Sequence, residues 1–233
     1  MHKLLYKFVY FFLAHINVFF GFIYKQEIIM EQKWVEWAKK IQAIAQNGLT
    51  FADDKYDIER YQQMREIAAE IFSQYSNYSF QEIHDFINKE NGYATPKVDV
   101  RGVIFEEDRI LLVKESIDKC WTLPGGWADV CETPSGNVQR EVFEEAGLEV
   151  TADRLLAVYD RSKQGHIPEY PFHVYKMFFL CKVTGGEMKP GMETLDVGFF
   201  DLDNLPELSL GRVNERQLKR MLQLRNLQIT DFD

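Results

Sequence analysis

The sequence predicts an α+β protein, in which an α/β/α sandwich with a mixed sheet follows a small all-helical lobe. Three observations support this class. Apolar residues recur at helical spacing up to about residue 91, and they alternate as in half-buried strands after Thr95-Pro96. One helical pattern then stands between the strands and another near the end of the chain. The predicted organisation is an N-terminal extension (1–29), a helical domain (30–95) and a mixed domain (96–233).

Length and charge restrict the classes of protein to which this chain can belong. Its 233 residues can bury a sizeable core, and its net charge of -9 argues against a broad basic surface. Duplex nucleic acid is therefore not expected as a partner, because binding to it depends on neutralising phosphates. The cysteines Cys120, Cys131 and Cys181 are odd in number and lack metal-ligand spacing. This pattern favours a reducing compartment, and we expect the cytoplasm.

Residues 1–29 are strongly apolar and aromatic, with interruptions at Lys7, His15 and Asn17. They are almost long enough to span a membrane. As a secretory signal they lack a clear small-residue cleavage site. A third interpretation is an upstream extension, with the working chain starting at Met30. We favour the third, so a membrane is expected as a partner only if residues 1–29 form a true anchor.

Three helical stripes predict the lobe that follows. The first ends at Asn47-Gly48, the second is capped by Asp53 or Asp54, and the third spans 79–91. Aromatic side chains in these stripes could bind a quaternary ammonium group by cation–π attraction. Aromatic residues at helical spacing more often pack in a core or a dimer contact, which is the interpretation that we favour.

A pair of strands is expected next, from the segment VDVRGVIFEEDRILLVKE. Residues 98–105 alternate, EEDR forms a turn, and ILLV returns as the hairpin partner. Arg101 interrupts the apolar run on its face. Two interpretations carry equal weight: an edge residue that reaches solvent, or a side chain in a cleft that grips a phosphate with both guanidinium nitrogens.

Four glutamates stand close together in the stretch from Gly126 to Leu148. Glu132 lies in a predicted loop, while Glu141, Glu144 and Glu145 stand at i, i+3 and i+4 of a predicted helix, on one face. Such crowding costs a few tenths of a kcal/mol per like-charged pair, and a bound cation would offset it. Oxygen ligands favour Mg²⁺ or Mn²⁺, whereas zinc would call for histidine or cysteine.

The residues at both ends of this helix also match the preferences of helix ends. Thr133 suits the N-cap, Pro134 suits the first helical position, and Gly147 suits the left-handed residue that ends a helix. Val138 and Val142 provide a packing face.

The whole stretch resembles the signature of the Nudix hydrolase family, GX5EX7REUXEEXGU, where U is a bulky aliphatic residue. Every fixed position is matched: Gly126, Glu132, Arg140, Glu141, Val142, Glu144, Glu145, Gly147 and Leu148. A pattern with so many fixed residues is far more specific than a lone glycine motif. The resemblance implies the Nudix fold and a loop-helix-loop that binds divalent metal and hydrolyses a nucleoside diphosphate linked to another moiety.

The resemblance also implies roles for these residues. Glu141, Glu144 and Glu145 would be metal ligands, and Glu141 is a candidate general base. Arg140 would orient a glutamate by a charge-assisted pair, and Glu132 would assist from the loop.

Further substrate contacts are expected outside this stretch and at its first glycine. The candidates are Gly126, Arg101, and three residues of the polar segment after the next strand: Arg161, Lys163 and His166. An additional acidic residue often comes from the region before a later strand in such enzymes, and Glu193 is our choice.

The helical lobe extends the resemblance to a bacterial branch that acts on X-linked nucleoside diphosphates. WAKKIQAIAQNGLTFADDKYDIERY followed by PKVDVRGVIF is similar to the CDP-choline pyrophosphatase group. This similarity implies cleavage of CDP-choline to CMP and phosphocholine, and a homodimer formed through the lobe.

Three other functions remain open. The same chemistry could act on ADP-ribose, which differs only in the base and in the leaving moiety. Cleavage at RNA ends is secondary, since the acidic charge argues against tracking along RNA. A non-catalytic nucleotide sensor would not need the full set of carboxylates.

Overall fold

The computed structural model describes residues 33–233. These divide into two compact units, one that ends at Ala94 and one that covers Thr95–Asp233. Within the described residues, no helix is both long enough and apolar enough to cross a membrane. The interpretations of residues 1–29 fall outside the described part of the chain. The three cysteines are free thiols.

From residue 33 onward, the first unit contains three helices, which span 33–51 (α1), Lys55–Gln74 (α2) and Phe80–Asn88 (α3). Asp54 caps α2 by accepting hydrogen bonds from two backbone N–H groups, and Ser79 forms a reciprocal capping box with Glu82 at α3. Trp34 stacks on Tyr75 with ring centroids 5.6 Å apart. Part of the aromatic content therefore packs within this unit, around a small core of Val35, Ala38, Ala69, Phe72, Ile83 and Ile87.

The second unit contains two four-stranded sheets and two helices. Its elements are β1 Lys97–Val103, β2 Phe105–Glu106, β3 Arg109–Glu115, β4 Trp121–Thr122, α4 Pro134–Ala146, β5 Leu148–Asp160, β6 Val174–Gly186, β7 Thr194–Asp201, α5 Glu215–Leu227 and β8 Asp231–Phe232. The mixed sheet has the order β1-β6-β5-β8, with β1 parallel to β6. In the antiparallel sheet, β3 pairs with β2, β4 and β7.

The predicted hairpin is only partly correct. Phe105 and Glu106 do turn back onto β3, but β1 belongs to the other sheet and pairs with β6. The chain leaves one sheet and joins the next near Ile104, whose carbonyl still accepts a hydrogen bond from Leu111 N at 2.9 Å. Local alternation cannot distinguish these pairings, because it defines faces and not partners.

The two faces of β1 serve different purposes. Val100 and its even-numbered neighbours pack under α4 against Val138 and Val142. Gly102 permits this contact, since a Cβ there would lie 2.5 Å from a methyl group of Val142. The odd-numbered residues include Asp99 and Arg101, which are buried. One face of the strand thus packs in the apolar core beneath α4, while the other carries the buried Asp99 and Arg101 and, at its end, the apolar Val103.

Candidate active site

Helix α4 forms as its local sequence dictates. The Thr133 hydroxyl accepts a hydrogen bond from Gly136 N, Pro134 occupies the first turn, and Gly147 ends the helix with φ 70°. Both predicted caps and the predicted position of Pro134 are confirmed. Because both ends are fixed, the direction of each side chain on α4 follows from its position along the helix.

The three glutamates of α4 do not share one environment. The Glu141 side chain is 14% exposed and Glu145 is 7% exposed, whereas the Glu144 side chain is 54% exposed. The expectation of one common face is therefore too coarse: positions i and i+4 point inward, and i+3 lies at the outer edge. The apolar contacts of Val142 and Ala146 under the helix determine this rotation.

Glu145 is held against the turn that precedes the helix. Its Oε2 accepts a hydrogen bond from Gly125 N at 2.8 Å. Burial, together with repulsion from Glu115 and Glu141, raises the pKa of Glu145 to about 7, although Arg101 opposes this change. Gly125 has φ +137°, and a Cβ there would lie 2.0 Å from the Val100 carbonyl oxygen, so this turn requires glycine.

Glu141 faces the next residue of the same turn. A Cβ on Gly126 would lie 3.0 Å from Glu141 Oε2, so the backbone and this carboxylate approach closely. Burial raises the pKa of Glu141, and Glu144 adds to this effect, while Arg140 opposes it. Gly126, expected to contact substrate, thus lies directly beside a proposed catalytic carboxylate.

Arg140 links the helix to the preceding loop. Its guanidinium lies 2.9 Å from Glu141 Oε1 and 2.8 Å from Glu144 Oε2, and it also contacts Asp129 at 2.7 Å. Arg140 thus contacts both carboxylates, and its orienting role stays a prediction. Glu132 is exposed in the loop, near the first turn of α4.

Arg101 follows neither of its two expected descriptions. It is buried and makes two hydrogen bonds to Asp99, at 3.0 and 2.7 Å, and a third to the Leu123 carbonyl at 3.0 Å. Lys176 Nζ, also buried, lies 2.6 Å from Asp99 Oδ1. The guanidinium thus reaches neither solvent nor an open cleft. The Arg101 guanidinium is a fixed positive charge near the carboxylates. Asp99, Glu145 and Glu115 raise its pKa, against the effect of burial.

This buried cluster was not predicted, although its members interrupt apolar strands in the sequence. Burial alone would raise the pKa of Asp99, but Arg101 and Lys176 outweigh it and lower the pKa to about 2. Burial lowers the pKa of Lys176 to about 8 despite the attraction of Asp99. Asp99 and Lys176 are partners in the β1–β6 register, which sequence alone does not reveal.

A second unpredicted carboxylate is Glu115, at the end of β3. It is buried beside Arg212, whose Nε lies 3.1 Å from its Oε1, and its charge raises the pKa of Glu145. Glu193 is exposed, and its charge contributes to the raised pKa of Glu115. The additional acidic residue that we chose therefore lies near the edge of this carboxylate group.

Arg161 and His166 differ from the expectation of a substrate loop. Both are buried. Arg161 donates to the carbonyls of Pro168 and Gly211, and His166 Nδ1 lies 3.0 Å from the Leu210 carbonyl. They hold the loop after β5 to the segment before α5. Lys163 is exposed on the turn that Arg161 begins.

The loop before β7 closes the C-terminal end of α4. Lys189 N donates to the Ala146 carbonyl at 3.0 Å, and Gly191 N lies 3.3 Å from the Glu145 carbonyl oxygen. The buried Thr194 hydroxyl donates to the Glu145 carbonyl and accepts from Gly191 N, both at 2.8 Å. These contacts satisfy carbonyls that a helix end leaves without partners.

The carboxylates fit a hard divalent cation by their chemistry. Glu141 and Glu145 supply oxygen atoms only. A bound cation would offset the repulsion from neighbouring carboxylates that helps to raise their pKa values. No complete cage of three or more acidic, histidine or cysteine ligands stands ready among residues 33–233. Carboxylate oxygens are the ligands that hard divalent cations such as Mg²⁺ and Mn²⁺ prefer.

Two families match the chain. A family described as a UDP-X-like N-terminal oligomerisation domain matches residues 32–87, and the NUDIX domain matches residues 95–222. A putative ADP-ribose pyrophosphatase of Bacillus subtilis, YjhB, is 44% identical over 194 residues, which cover 83% of this chain and 93% of that protein.

Solved structures agree with this assignment. An ADP-ribose pyrophosphatase from Streptococcus suis has a TM-score of 0.54 and 47% identity, covering 60% of this chain and all of that one. A UDP-X diphosphatase has a TM-score of 0.57 and 32% identity, covering 87% of this chain and 99% of that one. The helix with its paired carboxylates, the sheets around it and these matches together identify the chain as a pyrophosphohydrolase that belongs to the Nudix hydrolase family.

Proposed function

We propose that this enzyme hydrolyses the diphosphate bond of a nucleoside diphosphate linked to another moiety, with ADP-ribose as the leading substrate. The observation that carries the proposal is the pair Glu141 and Glu145, held inward beside the Gly125-Gly126 turn. Support for ADP-ribose comes from the B. subtilis relative, which is named as an ADP-ribose pyrophosphatase and of which 93% is matched by this chain.

Nudix hydrolases generally use divalent metals such as Mg²⁺ or Mn²⁺. We propose that Glu141, Glu144 and Glu145 hold such an ion here. The chemistry that a bound ion supplies is neutralisation of charge on the diphosphate oxygens and a lower pKa for the attacking water.

The protein groups would act around the diphosphate. Glu141 stands beside the backbone of Gly126 and is the proposed general base. Arg140 holds Glu141 and Glu144 in place through charge-assisted hydrogen bonds. Arg101, fixed by Asp99, stabilises the negative charge of Glu145 from behind. Glu132 would assist from the loop that precedes α4.

Two other substrates belong in the same test. A UDP-linked compound is favoured by the UDP-X diphosphatase, which is similar over 87% of this chain. CDP-choline, the substrate expected from the sequence, stays a prediction, as do cleavage at RNA ends and a role as a nucleotide sensor.

We also propose that the first unit forms a homodimer contact. Its match to an oligomerisation domain supports an oligomer. Large apolar side chains exposed on its surface agree with this, among them Trp37, Ile44, Phe51, Ile67 and Phe80. Sedimentation equilibrium would test the stoichiometry, and a monomer at micromolar concentration would refute it. The cytoplasm stays the expected compartment.

Mass-spectrometric analysis of products tests the proposed reaction. The protein would be incubated with ADP-ribose, a UDP-sugar, CDP-choline or a short RNA, with Mg²⁺, Mn²⁺ or a chelator. We expect metal-dependent release of AMP and ribose 5-phosphate. Preferential release of CMP and phosphocholine would show that CDP-choline and not ADP-ribose is the preferred substrate, while the proposed type of reaction would stand. No cleavage of any compound would reject the proposal.

A further inference from the structure

An exposed tryptophan stands next to the Gly125-Gly126 turn. Trp127 follows Gly126 and is 47% exposed. The backbone on both sides is fixed to β1, because Val100 N donates to the Gly126 carbonyl at 2.8 Å and Ala128 N donates to the Val98 carbonyl at 2.9 Å. The position of this ring is therefore tied to the strand that carries Arg101.

The strand pairing also determines the face on which the ring lies. Trp127 and Asp99 form an antiparallel bridge, and directly paired residues project to the same face of a sheet. The indole therefore lies on the face of Asp99 and Arg101, opposite the apolar core under α4. Packing against α4 does not account for this tryptophan.

A second aromatic ring meets Trp127 from a distant part of the chain. The Tyr170 ring centroid lies 6.0 Å from that of Trp127, with 31° between the ring planes. Tyr170 belongs to the loop that Arg161 and His166 hold in place through the carbonyls of Pro168, Gly211 and Leu210. The Arg161 guanidinium also lies 5.5 Å from the Tyr170 centroid. The buried Arg161 thus supports both the loop and the ring.

We propose that Trp127 and Tyr170 bind the nucleobase of the substrate, an inference that rests on the proposed function. Gly126 lies against Glu141, so the next residue stands beside the diphosphate site. A nucleoside attached to that diphosphate can place its base on a neighbouring aromatic surface. Stacking on aromatic side chains tolerates different bases, since every base has a π-face.

The surrounding charges favour a base over a quaternary ammonium group. Arg161 already lies near the Tyr170 ring, and Lys97 Nζ lies 4.8 Å from the centroid of Phe172. Phe172 in turn contacts Tyr170, edge to face, with centroids 5.6 Å apart. Each of these two rings therefore already has a cation of the protein over one face, which favours an uncharged planar ring over a second cation as the ligand. The moiety that we infer to bind here is the base and not choline.

Binding of product fragments tests the inference without turnover. Isothermal titration would compare AMP, CMP and UMP, which carry a base, with ribose 5-phosphate and phosphocholine, which carry none. The proteins would be the wild type, W127A, Y170A and Y170F, with F232A as the control for loss of an exposed ring elsewhere in the same unit. Circular dichroism would verify that each variant is folded.

We expect W127A to weaken binding of at least one nucleoside monophosphate by about 5- to 150-fold, the range for loss of one base stack. Y170A should weaken the same ligand, while Y170F and F232A should bind it like the wild type. Ribose 5-phosphate and phosphocholine should bind W127A and the wild type equally.

Three results would overturn the inference: unchanged nucleotide binding by W127A, equal weakening of the ligands without a base, or no measurable binding of any nucleoside monophosphate by the wild type. A selective loss of phosphocholine would also reject it and would indicate a site for the ammonium group. These outcomes are separate from the proposed reaction, which fails only if product analysis detects no hydrolysis.

Discussion

Replacement of Thr194 by valine tests whether the loop before β7 positions the catalytic glutamates. Valine keeps the shape of threonine and removes its hydroxyl. In the native structure that hydroxyl is buried and makes two hydrogen bonds of 2.8 Å, to the Glu145 carbonyl and from Gly191 N. Thr194→Val therefore removes one donor and one acceptor from the end of α4 and leaves the side-chain volume nearly unchanged.

The expected loss of stability follows from the partners that remain. A buried polar group left without its partner costs about 1–3 kcal/mol. Gly191 N still lies 3.3 Å from the Glu145 carbonyl oxygen, so part of the loss is recovered, and we expect about 1.5 kcal/mol. For a chain of this length that corresponds to a decrease in Tm of roughly 3–6 °C.

The expected effect on activity is larger than the effect on folding. At 25 °C the variant remains folded, since typical unfolding free energies are about 5–15 kcal/mol. The last turn of α4 carries Glu144 and Glu145 and would be less well held. A displacement of about 1 Å in a catalytic group can cost on the order of 100-fold in rate, so we expect kcat to fall about 10- to 100-fold with little change in KM.

Two assays separate positioning from stability. Kinetics at 25 °C would be combined with calorimetric titration of Mn²⁺, which requires no substrate. T194V should bind Mn²⁺ more weakly, and Thr194→Ser, which keeps the hydroxyl, should restore both kcat and Mn²⁺ affinity. A T194V protein with a lower Tm but wild-type kcat and Mn²⁺ affinity would refute the positioning role and leave only a structural one.

Other side chains give further predictions. Glu145→Gln should abolish turnover, and near-native turnover would refute the assignment of Glu145 as a metal ligand. In metal-free buffer at pH 8 this variant should unfold at a temperature at least as high as that of the wild type. The reason is that glutamine can still accept the hydrogen bond from Gly125 N, while a buried charge is removed. Asp99→Asn should cost roughly 3–5 kcal/mol in urea unfolding, because it leaves two buried cations without their anion. Lys176→Met should lower the free energy of unfolding clearly less than Asp99→Asn does, since Asp99 is still paired with Arg101. Equal losses for the two variants would show that the ion pairs are not organised around Asp99. Burial and the charge of Lys176 lower the pKa of His166 to about 3 in the folded protein, against about 6.5 when unfolded. The unfolded state therefore binds more protons between these values, and stability should fall by up to about 1.4 kcal/mol per pH unit as the pH drops from about 6.5 towards 3. His166→Asn should reduce that slope in urea titrations at several pH values, and identical slopes would contradict the role of His166.

Helix α4 was the most predictable part of the site. Its caps at Thr133 and Gly147 act on backbone groups within a few residues, and the i, i+4 spacing of Glu141 and Glu145 follows from helical geometry. The alternation that predicted β1 is likewise a local property of the chain. Such features depend on neighbours in sequence, so the sequence contains the information needed to infer them.

The surroundings of the site depended on contacts between distant segments. Asp99 meets Lys176 only because β1 pairs with β6 in one register. Glu115, at the end of β3, raises the pKa of Glu145 although the two residues are far apart in the sequence. Arg161 illustrates the same limit. We expected it to contact the substrate, but in the structure it donates hydrogen bonds to the carbonyls of Pro168 and Gly211 and holds two segments together.

The sequence by itself determined the catalytic helix, its caps, its carboxylates and the family to which the chain belongs, because these depend on residue types at short, fixed spacing. Only the tertiary structure decided that Glu144 lies outside while Glu141 and Glu145 point inward, that Arg101 is buried and paired with Asp99, and that the ring of Trp127 lies close to that of Tyr170. The physical reason is that burial, electrostatic environment and ring contacts arise from strand register and packing, which join residues far apart in the chain.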